Sequence, residues 1–142
     1  MNRQHTNINP LTVHAPIVAS KLGRYRAVKG VFILRKNDRV IYIGNSKNIY
    51  KAVIRLFQKK GVLYHIDRRT VNFEIVIPSF RVQTTEIILK RLFKPKYNIR
   101  PLPKEKQTTA QKRQSKRLLE SYLEQTRFEV EVHKEGEHQS DN

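Results

Sequence analysis

Cysteine is absent from the 142-residue chain. That removes disulfides, zinc–thiolate sites and cysteine nucleophiles together, and it fits an intracellular location, cytoplasm or nucleoid. No apolar run approaches the ~20 residues that a membrane span needs, so no membrane partner is expected. The opening stretch, MNRQHTNINPLTVHAP, has no basic-then-apolar pattern, so no secretory signal is expected. It is not Arg-rich, and mitochondrial import stays open.

Acidic residues are the next scarcity. The net charge is +17, and it is unevenly spread. Residues 21–100 carry 20 Lys/Arg against four acids, Asp38, Asp67, Glu74 and Glu86, whereas residues 101–142 carry eight of each sign. A solubilising surface mixes the signs. A one-sign excess on the segment that also looks globular predicts a polyanionic partner, DNA or RNA.

What is present organises as follows. Residues 1–27 read as a polar, proline-punctuated arm. Residues 30–35 (GVFILR) and 40–43 (VIYI) are β-branched and aromatic, and Lys36-Asn37-Asp38-Arg39 turns between them, so the pair predicts an antiparallel hairpin. Asn45-Ser46-Lys47-Asn48 supplies N-cap residues for a helix over 48–60, stopped by Gly61. Ile49, Val53, Leu56 and Phe57 recur at helical spacing toward a core. Lys51, Arg55 and Lys59 recur every four residues on another face, with Lys47 ahead of them: a basic stripe with neighbours about 5–6 Å apart.

Residues 71–78 predict a third strand. Thr84 or Thr85 is expected to cap a second helix over 85–94, which Lys94-Pro95 ends. Residues 101–132 read as a linker, a helix over 108–126 with a thin seam of Leu118, Leu119 and Tyr122, and a short strand over 128–132. Residues 133–142 read as a disordered tail.

Gly30-Val31-Phe32, nine residues, then Tyr42-Ile43-Gly44 looks like the signature of the GIY-YIG nuclease family. Asn45-Ser46-Lys47-Asn48-Ile49 resembles the segment that follows it there. Thr85-Glu86 and Lys94-Pro95-Lys96-Tyr97-Asn98 resemble the family's glutamate helix and its closing proline–tyrosine–asparagine. The match spans residues 28–100, in the right order across matching elements.

The resemblance implies an α/β (α+β) fold: a small three-stranded mixed or antiparallel sheet flanked by helices, here with a C-terminal helical extension. It also implies phosphodiester cleavage with Mg²⁺ or Mn²⁺. Glu86 matches the metal-binding glutamate, Tyr42 the second tyrosine and Asn98 the asparagine. Mg²⁺ keeps most of its waters, so one carboxylate can suffice.

Two positions depart from the family. Phe32 stands where the first tyrosine would help activate water. Ala52 stands where an arginine would steady the charge on phosphate; Arg55 lies three residues on, and Leu56 replaces a frequent histidine. Losing a positioned base costs about 10²–10⁴ in rate, and losing a charge donor about 10²–10³.

The cations remain: Lys47, Lys51, Arg55, Lys59, Lys60, Arg68, Arg69, Lys90, Arg91, Lys94 and Lys96 are the expected nucleic-acid contacts. The sequence therefore predicts a nucleic-acid-binding derivative of the nuclease with weak or lost cleavage, an accessory or structural subunit of a ribonucleoprotein or DNA-processing complex. The alternative is an active endonuclease in which Tyr42 or His65 activates water and Arg55 replaces the arginine. A basic scaffold for an acidic protein is a third reading. The C-terminal helix either docks on a partner or packs on its own domain.

Overall fold

The computed structural model describes residues 10–79, 81–98 and 108–140, the last segment without side chains beyond residue 126. Four strands form one antiparallel sheet in the order β1-β4-β2-β3. They are β1 (Leu11–Ile17), β2 (Gly30–Lys36), β3 (Arg39–Ser46) and β4 (Asn72–Pro78). Helix α1 (Ile49–Phe57) lies between β3 and β4, and α2 (Val82–Phe93) and α3 (Thr109–Ser140) follow β4.

The β2–β3 hairpin turns through Asn37 (φ 52°) and Asp38 (φ 66°). Two left-handed residues in succession match the right-handed twist of flanking strands, and Asn and Asp tolerate that conformation best among non-glycine residues. Leu34 opposes Tyr42 while Arg35 opposes Val40, so Ile41 is an extra residue in β3 and forms a bulge.

Both sheet faces are covered. Phe32, Leu34, Phe73 and Ile75 pack with Ile49 and Val53 of α1. Val31, Ile33, Ile43 and Val76 pack with Ile88 and Leu89 of α2 and with Leu118 and Tyr122 of α3. Two-sided burial explains why β2 reads as a continuous apolar run rather than an alternation.

The structure corrects several expectations. The sheet has four strands, not three, because the lead-in supplies β1 at one edge. Only Leu11 and Ile17 of β1 are buried, and Pro16 sits where an edge strand tolerates it. A 3₁₀ turn over Ala19–Tyr25 then buries Leu22. The second helix begins at Val82, earlier than expected. Ser79 is tied to the Pro10 carbonyl through its N–H (2.8 Å) and its Oγ (3.1 Å), just past the last β1–β4 pair, Leu11 with Pro78. The N-cap is Arg81; Thr85 is buried inside the first turn and its hydroxyl donates to the Arg81 carbonyl at 3.2 Å.

Residues 128–132 are helical, and the helix continues through Ser140 where a disordered tail was expected. A strand over 128–132 needs an edge to pair with, and both edges are already engaged. At β1, the Val13 N–H donates to Gln125 Oε1 (2.8 Å) and Gln125 Nε2 donates to the Leu11 carbonyl (2.9 Å). At β3, the Asn98 side chain does the same to Ile43. A side-chain amide stands in for a neighbouring strand at each end of the sheet. The linker expected ahead of the helix at 108 lies outside the described residues.

Candidate functional site

The motif glycines have packing reasons. Gly44 sits opposite Phe32 in register, and a Cβ there would lie 2.6 Å from Phe32 Cζ. Its absence lets the phenyl ring lie across β3, stacked on Tyr42 with centroids 6.1 Å apart and planes 11° apart. A Cβ on Gly30 would lie 2.8 Å from the Val76 carbonyl oxygen, so β2 could not approach β4 as it does. Phe32 is buried and Tyr42 half-buried. The stacked pair carries one hydroxyl, that of Tyr42.

Three of the four expected catalytic residues gather around β3. Tyr42 is part of the strand. Asn98 Oδ1 accepts from the Ile43 N–H at 2.9 Å, and Asn98 Nδ2 donates to the Ile43 carbonyl at 2.8 Å. The neighbouring Tyr97 N–H donates to the Ile41 carbonyl at 2.9 Å. Glu86, in the second turn of α2, is joined to the same strand by Asn45, whose Nδ2 donates to Glu86 Oε1 at 2.6 Å. Its other oxygen, Oε2, accepts from Lys90 Nζ at 3.1 Å, one helical turn away.

Arg55, the fourth, stands exposed on α1. Ala52 and Leu56 are half-buried and pack against the core beneath that helix. Ala52 and Leu56, where the resemblance would place an arginine and a histidine, are therefore apolar and serve packing.

Asn45, expected among the N-cap residues and in the segment after the signature, pairs instead with Glu86, a contact that no local pattern in the sequence signals; the N-cap is Asn48. Lys90, one of the expected nucleic-acid contacts, also pairs with Glu86, as its i+4 spacing allows. His65 pairs with Tyr97, with Nε2 3.3 Å from the phenol oxygen and the rings edge-on.

As arranged, each oxygen of Glu86 has one partner, and the Lys90 ammonium already supplies the countercharge, so a divalent ion there would have to displace Lys90. Among the described residues, no group of three or more His, Asp or Glu side chains is placed to hold a metal.

The cations divide in two. Lys47, Lys51, Arg55, Lys59 and Lys60 are all exposed, on the outer side of α1 and just beyond its ends, while Ile49 and Val53 face inward. Arg68, Lys94 and Lys96 are exposed as well. Arg69 is exposed but chelated by Asp67, with Nε at 3.1 Å and Nη2 at 2.9 Å. Those hydrogen bonds hold the Asp67 carboxyl below its ordinary pKa. Lys90 and Arg91 are half-buried.

A further polar cluster carries no signal in the signature. Buried Glu74 of β4 accepts from Arg35 Nε at 2.6 Å and from the Tyr122 hydroxyl, and Arg35 Nη2 donates to the Tyr122 oxygen at 2.9 Å. The helix that carries Tyr122 thus packs on its own domain. Burial and the Glu74 carboxylate push the Tyr122 phenol well above its ordinary value, against the opposing effect of Arg35.

No family model matches the chain, and no curated protein matches it. Among solved structures it is similar to the GIY-YIG N-terminal endonuclease domain of UvrC from Thermotoga maritima. A tyrosine-to-phenylalanine point mutant bound to the catalytic divalent cation is 23% identical, with a TM-score of 0.47 over 57% of this chain and 93% of that one. The magnesium-bound domain is 20% identical, with a TM-score of 0.47 over 56% and 93%. The residues of this chain, not that likeness, carry the function proposed below. No described helix is long and apolar enough to cross a membrane.

Proposed function

We propose that the chain binds nucleic acid on a GIY-YIG-like scaffold and cleaves it weakly or not at all, as an accessory or structural subunit of a ribonucleoprotein or DNA-processing complex. One juxtaposition carries this reading: an exposed cation stripe on α1 stands on the same domain as a Glu86 carboxylate closed by Lys90. Phe32 and Ala52 point the same way, since a phenyl cannot pass a proton and a methyl cannot steady phosphate charge. Lys51 and Arg55 on α1, with Lys59 just past its C-terminal end, are offered to phosphates, an affinity dominated by counterion release.

The active-endonuclease reading needs Tyr42 or His65 as the base and Arg55 as the charge donor. His65 engages Tyr97, while Glu86 engages Asn45 and Lys90. That separation of partners weighs against the substitution.

The test is a gel-retardation titration of plasmid DNA and structured RNA against salt, run beside incubations with Mg²⁺ and Mn²⁺. Log affinity is expected to fall linearly with log salt. Neutralising Lys51, Arg55 and Lys59 together should reduce the slope by about 3 on duplex DNA. Failure to retard either polymer at low ionic strength would overturn the reading. So would metal-dependent cleavage that disappears in Glu86→Ala.

A further inference from the structure

A cavity of about 530 Å³ opens where the hairpin turn, the segment after α1 and the segment after α2 meet. Its lining is chemically divided. Ile41 and Ile66 are buried, 5% and 8% exposed, and form an apolar floor with the half-buried Tyr97 ring. Lys36, Arg39 and Lys96 stand around it, and His65 completes the wall with its Nε2 toward the Tyr97 hydroxyl. Among the described residues no acidic side chain lines the cavity. Asp67 acts electrostatically on Lys36 from outside, but its carboxylate is chelated by Arg69.

Lys36 and Arg39 are also direct cross-strand partners at the end of the hairpin. Like charges in that position destabilise a hairpin, and a bound anion would relieve them. A lone inorganic phosphate would use the cations and leave the apolar floor unfilled. The volume falls in the range of small-ligand sites, which combine an apolar lining with a few convergent polar groups. A phosphomonoester carries about −1.5 to −2 at pH 7, which complements the three cations.

We propose that this cavity binds one nucleotide unit, with its phosphate on Lys36, Arg39 and Lys96 and its base against Ile41, Ile66 and Tyr97. The nucleotide is either free or the phosphorylated end of a strand. The proposal rests on the nucleic-acid reading only for the second of these sources.

The full chain would be titrated with adenosine 5′-monophosphate, adenosine and inorganic phosphate, following the His65 and Tyr97 resonances by NMR. A 5′-phosphorylated trinucleotide and its 5′-hydroxyl counterpart form the second arm. The monophosphate is expected to shift both residues saturably, and adenosine and phosphate to bind about tenfold more weakly or worse. Lys36→Glu with Arg39→Glu should weaken the monophosphate about tenfold or more, with the unchanged spectrum of core residues showing that the variant is folded. Tighter binding of the phosphorylated trinucleotide than of the monophosphate assigns the site to a strand end; equal binding assigns it to a free nucleotide. A chain that retards polynucleotides yet gives no saturable shift, or whose shift survives the double charge reversal, overturns the cavity proposal and leaves the binding function standing. A chain that retards no polynucleotide but takes up the monophosphate does the opposite.

Discussion

Two clusters in this molecule are built from the same kinds of group: a glutamate, a cation and a neutral hydrogen-bond donor. One is Glu74 with Arg35 and Tyr122; the other is Glu86 with Lys90 and Asn45. Their ion pairs are almost equally exposed, 10% and 14% for the glutamates and 22% and 21% for the cations, so burial of the charges does not tell them apart, although Tyr122 is buried and Asn45 exposed. Connectivity does. The first joins β4, β2 and α3, and Phe93 closes over it, with the Arg35 guanidinium 5.1 Å above its ring and Tyr122 edge-on at 5.7 Å. Opening it means lifting a helix. The second is closed by a lysine from the same helix, and one side-chain rotation exposes an oxygen of Glu86. A shielded carboxylate is therefore not by itself a sign of a site; what must move to reach it is the better guide.

The largest expected effect breaks that comparison if it fails. Glu74→Ala leaves the Arg35 charge without its partner and should cost about 3–5 kcal/mol in urea denaturation. Glu86→Ala should cost about 1 kcal/mol or less, because Lys90 can turn to solvent. Equal losses would mean that the two clusters are one kind of structure. Tyr122→Phe should fall between them, at about 1–3 kcal/mol near neutral pH, because it removes a hydroxyl that both donates and accepts. Its pH dependence sharpens the point. The folded-state pKa of Tyr122 is raised above the ordinary 10.0, chiefly by burial and then by Glu74, with Arg35 opposing. Its stabilising contribution is thus complete below pH 10 and is lost as pH rises toward the folded value, since the unfolded chain releases a proton that the folded one retains. The difference between the native chain and Tyr122→Phe should therefore narrow above pH 10.

Legibility in the sequence follows the range of the interactions. The hairpin could be read because apolar runs bracket Asn37-Asp38. The first helix could be read because Asn48 caps it locally, its side chain accepting from the Lys51 N–H at 3.1 Å. The strand at Leu11–Ile17 could not, since only its two ends are buried and its hydrogen bonds depend on β4, some 60 residues away. The positions of Tyr42, Glu86 and Asn98 were legible from motif spacing, but their engagement was not. Asn98 lies 55 residues from the strand edge it closes, and Asn45 lies 41 residues from Glu86. Arg35 and Glu74 look like surface residues, and Tyr122 like one position of an apolar seam, until the fold brings them together. The pairing of Glu86 with Lys90 is the exception, because a helix fixes i+4 neighbours without help from the rest of the chain.

That local pairing yields the smallest effect on stability and the sharpest separation of the two clusters. Lys90→Gln removes an i+4 ion pair and should change stability by no more than about 0.5 kcal/mol. It also removes the ammonium 3.1 Å from Glu86 Oε2, leaving a carboxylate with one open oxygen beside Asn45. Mn²⁺ should then broaden the NMR signals of Asn45 and Glu86 in Lys90→Gln at concentrations that leave the native chain unaffected, and adding Glu86→Gln should abolish the broadening. Signals of Arg35, Glu74 and Tyr122 should broaden less than those of Asn45 and Glu86 in every variant, because that carboxylate stays sealed beneath α3 and takes up no ion of its own. If the native chain broadens as readily as Lys90→Gln, the lysine is no barrier to a cation at Glu86, and a weak or lost cleavage would have to be explained by Phe32 and Ala52 alone.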